Sequence, residues 1–128
     1  MASLRLLIAE DDASLQRMLH WEFEELGYRV ITASTCAEAL CAVADRGVDL
    51  ALIDYHLPDG FGTDLLDALR RHDHNLPIIV YSGYASPAET TRIQQSGADH
   101  FLSKPVTAQS LHALFARLCF KRSARPGQ

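Results

Sequence analysis

Short apolar runs punctuate the chain at a nearly regular interval: Leu4–Ala9, Tyr28–Ala33, Asp49–Ile53, Pro77–Tyr81 and His100–Leu102. The first, third and fourth are almost continuous (Leu6-Leu7-Ile8, Leu50-Ala51-Leu52-Ile53, Ile78-Ile79-Val80), as expected of parallel strands covered on both faces. The segments between them follow a helical period. Leu15, Met18, Leu19, Phe23 and Leu26 recur three or four residues apart and form one apolar stripe, with Gly27 where a helix-terminating glycine belongs. The second helix opens on Thr35-Cys36-Ala37-Glu38, a capping-box pattern, and ends before Gly47. The third carries Leu65, Leu66 and Leu69. The fourth begins Ser86-Pro87-Ala88-Glu89, which combines an N-cap, a proline at the first helical position and a capping-box Glu. Its apolar face is thin, little beyond Ala88 and Ile93, which suits an element able to shift. The fifth places Leu111, Leu114, Phe115 and Leu118 behind a Thr107 cap.

Five strands alternating with five helices predict an α/β domain with a parallel sheet. Right-handed crossovers favour the doubly wound, flavodoxin-like order 2-1-3-4-5 with helices on both faces. The 128 residues are 48% hydrophobic and 22% charged, ordinary for one compact domain able to bury its own core. Cys36, Cys41 and Cys119 are an odd number without C-x-x-C spacing, which excludes a disulfide framework and a zinc knuckle and suits a reducing compartment. Twelve Lys+Arg against sixteen Asp+Glu give a net charge of −4. Because Lys121, Arg122 and Arg125 stand near the end, the body is more acidic still, which argues against direct nucleic-acid binding. No apolar run approaches the ~20 residues that span a bilayer, and the run before Glu10 is too short for a signal peptide. The expectation is a cytoplasmic domain over residues 1–120, followed by a basic linker or frayed terminus over 121–128.

In open α/β sheets ligands bind beyond the carboxyl ends of the strands. Strand one ends in Glu10-Asp11-Asp12, strand three in Asp54, strand four in Ser82-Gly83 and strand five in Ser103-Lys104-Pro105. Asp12 reads as a helix cap. Asp54 ends a buried apolar strand where a core sequence would continue with Leu or Val. Like charges about 4 Å apart repel by roughly 4 kcal/mol at an effective dielectric of 20, so a proton or a cation must sit among these acids. Oxygen ligands favour a hard divalent ion, Mg²⁺ by preference. Lys104 stands out because only it and Lys121 are lysines in the whole chain.

Together, Leu6-Leu7-Ile8-Ala9-Glu10-Asp11-Asp12, Leu52-Ile53-Asp54-Tyr55-His56-Leu57-Pro58-Asp59-Gly60, Ser82-Gly83 and Lys104-Pro105 resemble the receiver domain of two-component response regulators. The likeness runs from residue 4 to about 119, with the four signals in the family's order and at its spacing. It implies that Asp54 accepts a phosphoryl group from the phosphohistidine of a sensor histidine kinase or histidine phosphotransfer protein. Glu10, Asp11, Asp54 and the backbone carbonyl of His56 would hold Mg²⁺ (or Mn²⁺). Lys104 and Ser82 would bind the phosphoryl oxygens. Ser82 and Phe101 would form the switch, with Phe101 where the family usually has Tyr. His56 and Tyr84 would flank the path of attacking water, their bulk slowing dephosphorylation. Such a domain is not a conventional enzyme but catalyses its own aspartyl phosphorylation and dephosphorylation. Whether phosphorylation also produces a homodimer through the fourth-helix, fifth-strand and fifth-helix face is left open.

Two rivals fit less well. A haloacid-dehalogenase-type phosphatase needs D-x-D at the nucleophile, and Asp54-Tyr55-His56 lacks the second acid. A degenerate receiver, acting only as a docking scaffold, usually lacks an acid, the acceptor or the lysine, and none is missing here. Gly60-Phe61-Gly62 begins an incomplete dinucleotide fingerprint after the wrong strand. Trp21 and Phe120 read as core or rim packing, the three cysteines as small hydrophobes in apolar company, and Arg70, Arg71, His72 and His74 as a solvated helix end.

Overall fold

The computed structural model describes residues 3–124, with side chains up to Phe120. In chain order it comprises β1 (Arg5–Ala9), α1 (Ala13–Glu25), β2 (Arg29–Ala33), α2 (Cys36–Arg46), β3 (Leu50–Asp54), α3 (Gly62–His72), β4 (Ile78–Ser82), α4 (Pro87–Gln95), β5 (His100–Ser103) and α5 (Ala108–Ala124). The sheet is parallel throughout, in the order β2-β1-β3-β4-β5. A two-residue antiparallel ladder, His56–Leu57 against Gly60–Phe61, is inserted between β3 and α3.

The alternation of side chains along each strand divides the apolar residues into two cores. Leu7, Ala9, Ala51, Ile53, Ile78 and Val80 face Ala39 and Val43 of α2, Leu65, Leu66 and Leu69 of α3, and Ile93 of α4. Leu6, Ile8, Leu50, Leu52, Ile79 and Tyr81 face Leu19 and Phe23 of α1, and Leu111, Leu114 and Phe115 of α5. Helices therefore cover both faces, and the central strands carry no polar face. Polar chemistry is left to the strand ends.

The caps follow the sequence with one variation. Asp12 Oδ1 accepts the Leu15 N–H at 3.0 Å, and Thr107 Oγ1 accepts that of Ser110 at 3.1 Å. Ser86 and Glu89 close a reciprocal box on α4 behind Pro87. At α2, Thr35 accepts the Glu38 N–H, but Glu38 reaches the Ser34 N–H instead of closing the box. The free amides there are taken by Asp59, whose carboxylate accepts Cys36 N–H at 2.8 Å and Ala37 N–H at 3.1 Å. These bonds hold the Asp59 carboxyl below its ordinary range and tie the loop after β3 to α2.

Three expectations are corrected. Arg70 is not solvated: it bonds the carbonyls of Leu76 and Gly97 and pairs with Asp99 at 3.0 Å, fastening α3 to the entry of β4 and β5. Trp21 (67% exposed) and Phe120 (75%) are surface residues, because the stripe that faces the sheet is Leu19 and Phe23 on α1 and Leu111, Leu114 and Phe115 on α5. Cys41 is exposed, whereas Cys36 and Cys119 are partly covered. The helical backbone of α5 continues through Ala124. Residues 125–128 lie outside the described residues.

The Gly60-Phe61-Gly62 segment has a steric function. The Gly62 N–H donates to the Tyr55 carbonyl at 2.6 Å. A Cβ on Gly62 would stand 2.5 Å from the Asp54 carbonyl oxygen and 2.9 Å from Ile53 Cγ2. Only glycine lets α3 start so close to the end of β3. Gly62→Ala is expected to destabilise the protein by roughly 1–3 kcal/mol through overpacking, as read by urea unfolding. Unchanged stability would remove the close approach as a constraint.

Candidate functional site

The parallel register brings the carboxyl ends of β1, β3, β4 and β5 to one rim. Glu10, immediately after β1, is fully buried and anchored by its N–H to the Ala33 carbonyl at 2.9 Å. Asp11 beside it is exposed. Asp54 is the last residue of β3 and is buried. Tyr81 lies opposite Asp54 in the ladder, and Ser82 opposite Ser103. Lys104 follows Ser103, its N–H donating to the Ser82 carbonyl at 2.8 Å, and its peptide to Pro105 is cis.

From that position Lys104 Nζ bridges the two buried acids, 2.9 Å from Glu10 Oε1 and 3.0 Å from Asp54 Oδ2. The ammonium also lies 4.8 Å from the centre of the Tyr81 ring, within cation–π range. Glu10 Oε1 additionally accepts the Tyr81 hydroxyl at 2.5 Å, and Oε2 accepts the Asp12 N–H at 2.9 Å. Asp54 Oδ1 accepts the His56 N–H at 3.0 Å.

These bonds divide the two acids electrostatically. Burial pushes Glu10 up, but the Tyr81 hydroxyl, the Asp12 N–H and Lys104 outweigh it and hold the carboxyl below the usual range. At Asp54 burial prevails. With the charge of Glu10 added, it exceeds what Lys104 and the His56 N–H supply, and the carboxyl stands above its ordinary value. Burial also draws Lys104 down, yet its two carboxylates more than offset this and keep it a firm cation.

One oxygen from each of Glu10, Asp11 and Asp54 lies within 4.8 Å of the others. Three carboxylates so close, two of them buried and sharing a single ammonium, are the donor set that a hard divalent cation takes. The residues present therefore fit a metal such as Mg²⁺.

The other residues singled out from the sequence are placed as follows. The Ser82 hydroxyl is engaged by its own loop, donating to the Tyr84 carbonyl at 2.7 Å and accepting the Tyr84 N–H at 3.2 Å. Tyr84 is 74% exposed. Phe101 is partly buried against the core that contains Ile93. The His56 ring is turned to α4, where Nε2 meets Glu89 Oε2 at 3.2 Å, and it packs edge-on against Tyr55. One turn along α4, Arg92 reaches the Tyr55 hydroxyl at 3.2 Å.

Sequence reasoning missed Tyr81 and Asp59. By hydrophobic pattern Tyr81 is one more apolar residue of the fourth run. The available signal was a hydroxyl-bearing side chain with the facing parity of Ile79, directly before Ser82.

The chain belongs to the response regulator receiver domain family, which it matches over residues 6–116. It is 35% identical over 108 residues to the KDP operon transcriptional regulatory protein KdpE of Escherichia coli (strain K12), covering 84% of this chain and 48% of that protein. To the sensory/regulatory protein RpfC of Xanthomonas campestris pv. campestris it is 31% identical, over 85% of this chain and 16% of that one. The chain thus spans half or less of these curated relatives. Among solved structures, a CheY-like response regulator receiver domain protein from Methanospirillum hungatei JF-1 superposes with a TM-score of 0.89 at 30% identity, covering 95% of this chain and 98% of that one. The non-phosphorylated HemR receiver domain from Leptospira biflexa gives 0.82 at 31% identity, covering 98% and 100%. The chain is accordingly a receiver domain of two-component signalling. Among the described residues no helix is long and apolar enough to cross a membrane.

Proposed function

We propose that Asp54 accepts a phosphoryl group from a phosphohistidine and that the added charge alters the surface around α4. One observation supports this above all: Lys104 Nζ lies 3.0 Å from the carboxylate that ends β3, beside a second buried acid and at the same rim as Asp11. A carboxylate needs no base to act as a nucleophile. An Asp54 oxygen attacks phosphorus, the P–N bond to the donor imidazole breaks, and its electron pair leaves with that nitrogen. Phosphoryl transfer through a loose transition state needs chiefly alignment and neutralisation of charge. Lys104 supplies one positive charge, and the Ser82 hydroxyl becomes a donor once it leaves the Tyr84 carbonyl. Glu10, Asp11, Asp54 and the His56 carbonyl would hold Mg²⁺ (or Mn²⁺), which when bound neutralises the phosphoryl oxygens.

The donor class is a histidine kinase or histidine phosphotransfer protein, in keeping with relatives named as sensory/regulatory and sensor kinase/phosphatase proteins. The domain acts in the cytoplasm. Incubation with a small phosphodonor and Mg²⁺ should add one phosphate to the wild type, by intact mass, and none to Asp54→Asn. Addition to both would mean that the acceptor lies elsewhere.

The signal is carried by Ser82 and Phe101. Ser82 gives up its bonds to Tyr84, and the partly buried Phe101 repacks behind it. Alpha-helix α4 is suited to respond, since Ile93 is its one buried residue, and its Glu89 and Arg92 side chains contact His56 and Tyr55. The side chains of His56 and Tyr84 obstruct water on its way to the aspartyl phosphate. Tyr84→Ala should therefore shorten the phosphorylated half-life several-fold, followed by loss of the phosphate from intact protein. An unaltered half-life would remove Tyr84 from this role.

A further inference from the structure

Tyr81 is a buried hydroxyl inside a charged cluster, on a strand that otherwise presents only hydrocarbon to that core. Its ring is fully buried among Leu6, Leu52, Ile79 and their neighbours. Its oxygen meets Glu10 Oε1, the same atom that Lys104 Nζ approaches at 2.9 Å. The other oxygen of Glu10 is taken by the Asp12 N–H. Every face of this carboxylate that the protein covers is thus supplied with a donor, and Tyr81 is the only uncharged side chain among those donors.

We propose that Tyr81 is a positioning residue that acts through Glu10: its hydroxyl satisfies the buried carboxylate without metal and thereby holds down the affinity of the acidic cluster for Mg²⁺. The inference rests on the metal role given to Glu10, Asp11 and Asp54 above. A donor and a cation drawing on one carboxylate are anti-cooperative, because each reduces the charge available to the other. A hydrogen bond to an ionised group is worth more than one between neutral groups, so the competition is measurable. The phenol remains a donor, since burial and the bond to Glu10 push its own ionisation far above the ordinary value. Replacing it by phenylalanine keeps the ring that fills the core and lies beside Lys104, and removes only the donor.

The test is a titration of the intact chain with MgCl₂, followed by backbone amide shifts, for wild type, Tyr81→Phe, Glu10→Gln and the double variant. Tyr81→Phe should reach half-saturation at a Mg²⁺ concentration about three- to tenfold lower than wild type. In the Glu10→Gln background the same change should have no effect, which isolates the pairwise coupling. Equal or weaker binding by Tyr81→Phe, or an equal gain without Glu10, overturns the proposal. A wild type that shows no saturable Mg²⁺ response overturns instead the metal reading on which it rests. A second measurement needs no variant. The Tyr81 hydroxyl proton should give a low-field resonance in metal-free protein that moves upfield as Mg²⁺ is added. A resonance insensitive to Mg²⁺ overturns the proposal even if Tyr81→Phe fails to fold.

Discussion

Lys104→Met is expected to slow phosphorylation by a small phosphodonor by about a hundredfold, the usual cost of removing one preorganised donor from a charge-developing site. Methionine approximates the apolar stem of lysine, so the substitution removes the ammonium, with its cation–π contact to Tyr81, and little else. Stability should fall as well. Glu10 and Asp54 share this ammonium at 2.9 and 3.0 Å, and no other described cation pairs with them among the salt bridges. Removing one partner of a buried pair costs about 3–5 kcal/mol; the partial exposure of Lys104 places the expectation at the lower end. Denaturant unfolding in metal-free buffer measures this loss, and Mg²⁺ should restore part of it by supplying charge to the same carboxylates. A rate within about threefold of wild type, less than 1 kcal/mol of barrier, would show that Lys104 is a structural counter-ion without a part in transfer.

The sheet and the clustering of residues at the candidate site were legible in the sequence because both depend on position along strands. Continuous runs such as Ile78-Ile79-Val80 can be buried only between two helical layers, and polar residues that end such runs must gather at one rim. Glu10, Asp54 and Lys104 were therefore placed together without coordinates, and the structure brings them within bonding distance. What escaped were contacts set by side-chain reach rather than by periodicity. Tyr81 is apolar along its ring and polar at one atom, so a hydrophobic count absorbs it. Arg70 and Asp59 act across distant segments, Arg70 on Leu76, Gly97 and Asp99, Asp59 on the start of α2. Nothing in their local sequence distinguishes them from solvated charges. Trp21 is exposed because it lies off the Leu19 and Phe23 face that α1 turns to the sheet.

Asp54→Asn is expected to make the metal-free protein more stable. The reason is the direction of the Asp54 shift. Its folded value lies above that of the unfolded chain because burial and the charge of Glu10 outweigh Lys104 and the His56 N–H. A group raised in this way binds its proton more tightly when folded, so the ionised form works against folding. Below the ordinary carboxylate range, near pH 4, Asp54 is protonated in both states and the two proteins should differ little. As pH rises through the folded value, the wild type loses the stability that protonation gave, while Asn keeps a neutral, hydrogen-bonding side chain of the same shape. At neutral pH the variant should be the more stable of the two, read as a higher Tm. Glu10 runs the opposite way. Its folded value is depressed, so its contribution is present above the ordinary range and lost as pH falls, and Glu10→Gln should destabilise the neutral protein. Thermal unfolding of both variants from pH 4 to 8 in the presence of a chelator separates the two acids. Should Asp54→Asn prove less stable than wild type at neutral pH, the attraction of Lys104 would outweigh burial, and Asp54 would be a stabilising ion-pair partner. The expected result instead makes Asp54 a strained charge, maintained at a cost in stability, as the proposed nucleophilic role would require.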